Sequence, residues 1–80
     1  MIYYTKMKRQ KDTKILNTIG DKLKAARLGK RLTQLEVAKK ADINGNYYAK
    51  VERGEASLSV ITLLKLVAAL GLKSSDILPN

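Results

Sequence analysis

Residues 32–54 read LTQLEVAKKADINGNYYAKVERG and predict two short helices joined by a tight turn. Thr33 is a favourable N-cap, and Glu36 follows it at the spacing of a capping box. The first of the two helices is therefore expected to begin here and to end near Ala41. We expect its inward face to consist of Leu35, Val37 and Ala38.

The second short helix is expected to run from a cap at Asn44 to about Arg53, with Gly54 as a left-handed stop. Tyr48 and Val51 lie three residues apart and are predicted to face the core, with the Tyr48 hydroxyl at its edge. The opposite side carries small, polar and basic residues. Two short helices of this kind form a helix-turn-helix unit.

The flanking sequence predicts three further helices. An apolar stripe predicts one from about Asn17 to Lys30, and a strongly apolar segment predicts another over residues 59–70. Ser74 is expected to cap a final turn over residues 75–78. Because no stretch alternates with period two, we predict an all-α domain of five helices over residues 15–80.

The composition excludes several kinds of site. The 80 residues include no cysteine and no histidine, so a zinc finger, a disulfide framework, a thiol nucleophile and a histidine base are all ruled out. We expect no metal, no cofactor and no enzymatic activity. No apolar run approaches the ~18 residues of a membrane-spanning helix, and a cytoplasmic protein without membrane association is predicted.

The net charge of +9 is distributed unevenly. Residues 1–14 carry five cations and one anion, residues 15–57 carry nine and five, and residues 58–80 carry two and one. This surplus favours a polyanionic partner, nucleic acid before an anionic membrane, although lysines can also serve solubility alone. We expect residues 1–14 to form a flexible basic arm; the alternative is an arm that follows the DNA backbone or enters a minor groove.

The second short helix has side chains suited to double-stranded DNA. Gly45 and Ala49 are small enough for close approach to a major groove. Asn46 can pair with adenine, and Lys50 can reach the O6 and N7 acceptors of guanine. The start of the preceding helix brings free backbone N–H groups and the Gln34 amide to a phosphate.

Three segments carry a resemblance to a known family: LTQLEVA at 32–38, ADIN at 41–44 and YYAKVERG at 47–54. In order and spacing they closely resemble the phage repressor and Cro type (Xre family, lambda-repressor-like) of helix-turn-helix protein. The similarity extends from about Ile19 to Leu78. It implies a five-helix DNA-binding domain in which residues 44–53 form the recognition helix.

The resemblance also implies roles for individual residues. Gln34 would meet the DNA backbone and brace the recognition helix. Arg27 and Glu52 would form a partly buried ion pair, with Arg27 also near DNA. Tyr47 is expected to lie half-exposed beside the DNA backbone. The implied base-reading positions are Gly45, Asn46, Ala49 and Lys50, and those near phosphates are Thr33, Asn44 and Arg53.

An apolar patch near the C-terminus predicts an interface between two copies of the chain; its members are Leu58, Ile61, Ile77 and Leu78. The predicted function is a sequence-specific transcriptional regulator that binds a short inverted repeat as a homodimer. The alternative is a protein-interaction module, of antitoxin or coactivator type, that uses the fourth and fifth helices and binds DNA only secondarily. The sequence does not distinguish a phage repressor from a restriction–modification controller or an antitoxin.

Overall fold

The computed structural model describes residues 10–77, which form five helices and no strand within that range. The helices are α1 (Gln10–Gly29), α2 (Gln34–Ala41), α3 (Gly45–Glu52), α4 (Val60–Leu70) and α5 (Ser74–Ile77). The predicted all-α fold, with its helix-turn-helix unit at α2 and α3, is confirmed. Within residues 10–77, every helix is too short or too polar to cross a membrane.

Capping residues set where α2 begins and ends and where α3 begins. Thr33 Oγ1 accepts a hydrogen bond from Glu36 N at 3.0 Å, and Glu36 Oε1 accepts one from Thr33 N at 2.8 Å. Asp42 ends α2 with a left-handed φ of 57°. Asn44 Oδ1 accepts a hydrogen bond from Tyr47 N at 3.0 Å and begins α3. Three residues, Asp42, Ile43 and Asn44, therefore connect α2 to α3.

The core lies where α2 packs on α4 and α1 packs on α3, and α5 closes it against α1 and α4. It is aliphatic apart from one aromatic ring. Its largest fully buried side chains are Tyr48, Leu23, Leu66, Leu70, Ile77, Val37 and Val51. The prediction that Tyr48 faces the core is confirmed, but its hydroxyl is buried rather than at the core edge.

Helix α1 approaches the end of α3 at Gly20. A Cβ placed on Gly20 would lie 2.5 Å from the carbonyl oxygen of Glu52 and 2.6 Å from that of Val51. No side chain fits at that distance without movement of the backbone. The two helices therefore meet backbone to backbone, which fixes where α3 sits relative to α1.

Helix α1 begins earlier than expected. It already includes Gln10, the first residue that the structure describes, so the predicted start at Asn17 is wrong. Asp12 lies in the first turn, where an anion is favourable, and Ile15 precedes Ile19 by one helical turn. The boundary drawn between a flexible arm and the domain at residue 14 thus falls inside α1. Residues 1–9 lie outside the described residues.

The apolar patch predicted near the C-terminus is placed differently. Ile77 is 1 % exposed and belongs to the core, so its assignment to an interface between copies is wrong. The reason is that α5 folds back onto α1 and α4. Leu58 is half-buried, Ile61 is exposed, and Leu78 lies outside the described residues.

Candidate nucleic-acid interface

A buried ion pair connects α1 to the end of α3. Arg27 Nε donates to Glu52 Oε2 at 2.7 Å, and Arg27 Nη2 donates to Glu52 Oε1 at 3.1 Å. The side chains are 11 % and 2 % exposed, respectively. Arg27 Nη1 also donates to the carbonyl oxygen of Leu32 at 2.9 Å, just before α2. The guanidinium thus holds α1, α3 and the segment that leads into α2, rather than extending towards a ligand.

Gln34 adds a connection from α2 to the same carboxylate. Its Nε2 donates to Glu52 Oε1 at 2.9 Å. The amide therefore braces α3, as the resemblance implies, and one of its two N–H donors is directed into the protein. Glu52 is the point at which side chains from α1 and α2 are both tied to α3.

The pKa of Glu52 reflects these contacts. Burial raises the pKa of its carboxyl, but Arg27, the nearby Tyr48 hydroxyl and Gln34 lower it more, and the net pKa is below its usual value. Burial also raises the pKa of the Tyr48 phenol well above its usual value. Among residues 10–77 the Tyr48 hydroxyl has no partner in hydrogen-bonding geometry. The ionised carboxylate is the form that the fold stabilises.

The outward face of α3 presents the predicted base-reading residues together. Asn46 and Lys50 are exposed one helical turn apart, while Gly45 and Ala49 are half-buried beside them. An open groove separates this face from the start of α2. Its lining residues are Gln34, Leu35, Asn44, Gly45, Asn46 and Ala49.

Some of the backbone N–H groups at the start of α2, which were expected to be free for a phosphate, are hydrogen-bonded within the protein. The N–H of Thr33 is not free, since it donates to Glu36, and that of Glu36 donates to Thr33. The capping box leaves the N–H groups of Gln34 and Leu35 at the helix start, where the first turn has no intrahelical acceptors.

Three more predicted phosphate-side residues are engaged within the protein. The Asn44 side chain caps α3. Tyr47 is half-buried, and its hydroxyl donates to the carbonyl oxygen of Ser57 at 2.7 Å. Arg53 pairs with Glu55 at 3.0 Å, but both side chains are more than half exposed, so the pair is weak and open to exchange.

Leu35 does not lie where the sequence predicts it. The expected position is the inward face of α2, but the side chain is 57 % exposed and lies beside Gly45. Val37, Ala38 and Ala41 form the buried face instead. In a helix of only two turns, the three-residue spacing of Leu35 and Ala38 does not determine whether Leu35 faces the core or the solvent.

Comparisons with known proteins agree with this geometry. The chain matches the helix-turn-helix family over residues 23–78. It is 38 % identical over 60 residues to the immunity repressor protein of Bacillus phage phi105, which covers 75 % of this chain and 42 % of that protein. The chain thus spans about two fifths of the length of that repressor.

The chain is also similar to a control protein and to a restriction-modification controller protein of known structure. Control protein C.MunI of a Mycoplasma species is 36 % identical over 59 residues, covering 72 % of this chain and 80 % of that protein. The crystal structure of the restriction-modification controller protein C.AhdI from Aeromonas hydrophila has a TM-score of 0.76 and 31 % identity, covering 78 % of this chain and 94 % of that one. These relatives are named as regulators and not as enzymes. The chain therefore belongs to the helix-turn-helix family of DNA-binding proteins, as its resemblance to the phage repressor and Cro type predicts.

Proposed function

We propose that the protein is a sequence-specific transcriptional regulator that places α3 in the major groove of double-stranded DNA. The observation that carries this proposal is the outward face of α3. Asn46 and Lys50 are exposed side by side, and small residues flank them. The amide of Asn46 and the ammonium group of Lys50 lie one helical turn apart on a narrow helix. They can therefore form hydrogen bonds with the edges of adenine and guanine in the major groove.

The rigid support behind α3 strengthens the argument. Glu52 is held by two hydrogen bonds from Arg27 and one from Gln34. Discrimination between bases requires side chains held in one register, and a helix tied to both neighbouring helices provides it. Phosphates would be contacted by the backbone N–H groups of Gln34 and Leu35 and by the residues that the family resemblance places near the DNA backbone, namely Thr33, Asn44, Tyr47 and Arg53.

Replacement of the two base-reading side chains tests the proposal. Asn46→Ala and Lys50→Ala should each weaken binding to a duplex selected by the protein by about 1–3 kcal/mol, with an unchanged melting temperature. Lys39→Ala is the matched control, because Lys39 is an exposed lysine of α2 that does not line the groove. Unaltered affinity in both variants would contradict the proposal.

We further propose that two copies of the chain associate through α4. Val60, Ile61 and Leu64 are 72 %, 68 % and 53 % exposed, and their spacing places them on one side of the helix. Exposed apolar clusters of this kind mark protein interfaces. A two-fold dimer would present two α3 helices to an inverted repeat.

Ile61→Asp tests whether a second copy of the chain covers this face of α4. In sedimentation experiments the wild type should be a dimer and the variant a monomer with weakened affinity for an inverted repeat. A wild-type protein that stays monomeric would favour the second candidate function, a module in which the same apolar face of α4 binds a different protein.

A further inference from the structure

Leu35 is the large apolar side chain of the groove between α2 and α3. It is 57 % exposed near the start of α2 and lines the groove beside α3, together with Asn44 and Asn46. It contributes little to the core. Its methyl groups are therefore available to a molecule that occupies the groove.

Gly45 leaves one side of Leu35 uncovered. A Cβ placed on Gly45 would lie 3.4 Å from Leu35 Cδ1, in van der Waals contact with it. With glycine there, residue 45 contributes no side chain that would cover this leucine methyl. Ala49 lies one turn further along α3 and lines the same groove. We call the apolar depression formed by Leu35, Gly45 and Ala49 the Leu35 notch.

The major groove offers one apolar group to such a surface. Each base pair presents hydrogen-bonding edges, and only a pyrimidine with a 5-methyl group, thymine above all, adds a methyl. Gly45 has no side chain of its own, so a base edge that faces the first position of α3 can meet the neighbouring Leu35 methyl group.

We infer that the Leu35 notch receives the 5-methyl group of a thymine, so that Leu35, from α2, determines specificity beside the α3 residues. This inference rests on the proposed function, because it requires α3 in the major groove. It places a base-specific contact on a helix that is otherwise expected to meet only phosphates.

The direct test removes the methyl group and nothing else. Each thymine of a duplex selected from a random library is replaced in turn by deoxyuridine, and the dissociation constant is measured with the full-length protein. Loss of one buried methyl should weaken binding about fourfold at one thymine per half-site. At that site 5-methylcytosine should also bind better than cytosine, because these two bases differ by the same methyl group. A selected duplex in which no thymine responds to deoxyuridine would overturn the inference.

Two variants connect the effect to the notch. Leu35→Ala should abolish the difference between thymine and deoxyuridine, whereas Leu28→Ala should preserve it. Leu28 is a matched control because it is 55 % exposed, on α1, and does not line the groove. Gly45→Ala fills the notch within a helix that accepts alanine, so it should also reduce the difference while the protein stays folded.

The outcomes separate the inference from the proposed function. If no duplex is enriched from the library, the proposed function fails. If a duplex is enriched but no thymine responds to deoxyuridine, or if the response survives in Leu35→Ala, the proposed function stands and the Leu35 notch is not a methyl-binding site.

Discussion

Glu52 accepts hydrogen bonds from Arg27 and Gln34 while almost completely buried, so its removal leaves a buried guanidinium without its partner. We expect Glu52→Ala to lower the free energy of unfolding by about 2–4 kcal/mol, measured by urea denaturation. Glu52→Gln should cost less, because it keeps an acceptor oxygen for Arg27. Equal stability of wild type and Glu52→Ala would show that the pair does not hold the fold.

The same carboxylate predicts a dependence of stability on pH. Its pKa in the folded protein is below the unfolded value of 4.5, so its contribution is complete above that pH and is lost as the pH falls through the folded pKa. The wild type should therefore lose stability below about pH 4.5.

Glu52→Gln should be less sensitive to acid than the wild type in thermal melts recorded across this range. Some dependence should remain, because the hydrogen bond from the backbone of Thr33 also lowers the pKa of Glu36. If the two melting curves shift in parallel with pH, Glu52 is not the group that titrates.

At the scale of helices, the contact of α1 with α3 at Gly20 is open to a controlled test. Gly20→Ala should lower the free energy of unfolding by about 1–3 kcal/mol, because its Cβ collides with backbone carbonyl groups of α3. Gly29→Ala is the matched control, since no atom lies within 4 Å of a Cβ at that position. It should be neutral or stabilising by up to about 1 kcal/mol. Similar melting temperatures for both variants would mean that α1 and α3 can move apart to accept a methyl group at position 20 without loss of stability.

Helix ends were predictable from sequence where a cap involves only near neighbours. Thr33 and Asn44 each accept a hydrogen bond from a backbone N–H three residues later, as predicted. Ser59 caps α4 in the same way, although only the helix and not its cap was predicted there. Faces of short helices were less predictable. Leu35 and Ile77 are placed by helices far away in sequence, and the local spacing of apolar residues fits either orientation.

The start of α1 shows a different limit. The polar and basic residues before Ile15 resemble an arm, and only the one-turn spacing of Ile15 and Ile19 indicates that the helix extends there. The pair of Arg27 with Glu52 is separated by 25 residues, so composition and periodicity alone give no indication of it. The family resemblance supplied that pair, whereas the small, polar and basic residues of α3 indicated its outward face without it.

For the whole molecule, the basic N-terminus predicts part of the salt dependence of DNA binding. Lys6→Gln with Lys8→Gln should make the slope of log affinity against log salt shallower, by about 0.9 for each phosphate that the protein no longer neutralises. The control, Lys65→Gln with Lys73→Gln, removes the same charge near α4 and α5 and should leave the slope unchanged. Equal slopes in the two double variants would mean that the N-terminus does not approach DNA. A changed preferred sequence would mean that it reads bases.

The central claim is that α3 reads a defined DNA sequence, and selection from a random duplex library tests it most directly. The purified full-length protein is used at ~0.15 M salt, where non-specific affinity is weak. We predict enrichment of an inverted repeat whose half-sites lie about one helical turn, ~34 Å, apart. Recovery of duplexes without a shared sequence would contradict the claim and would reduce the positive charge to a general affinity for DNA.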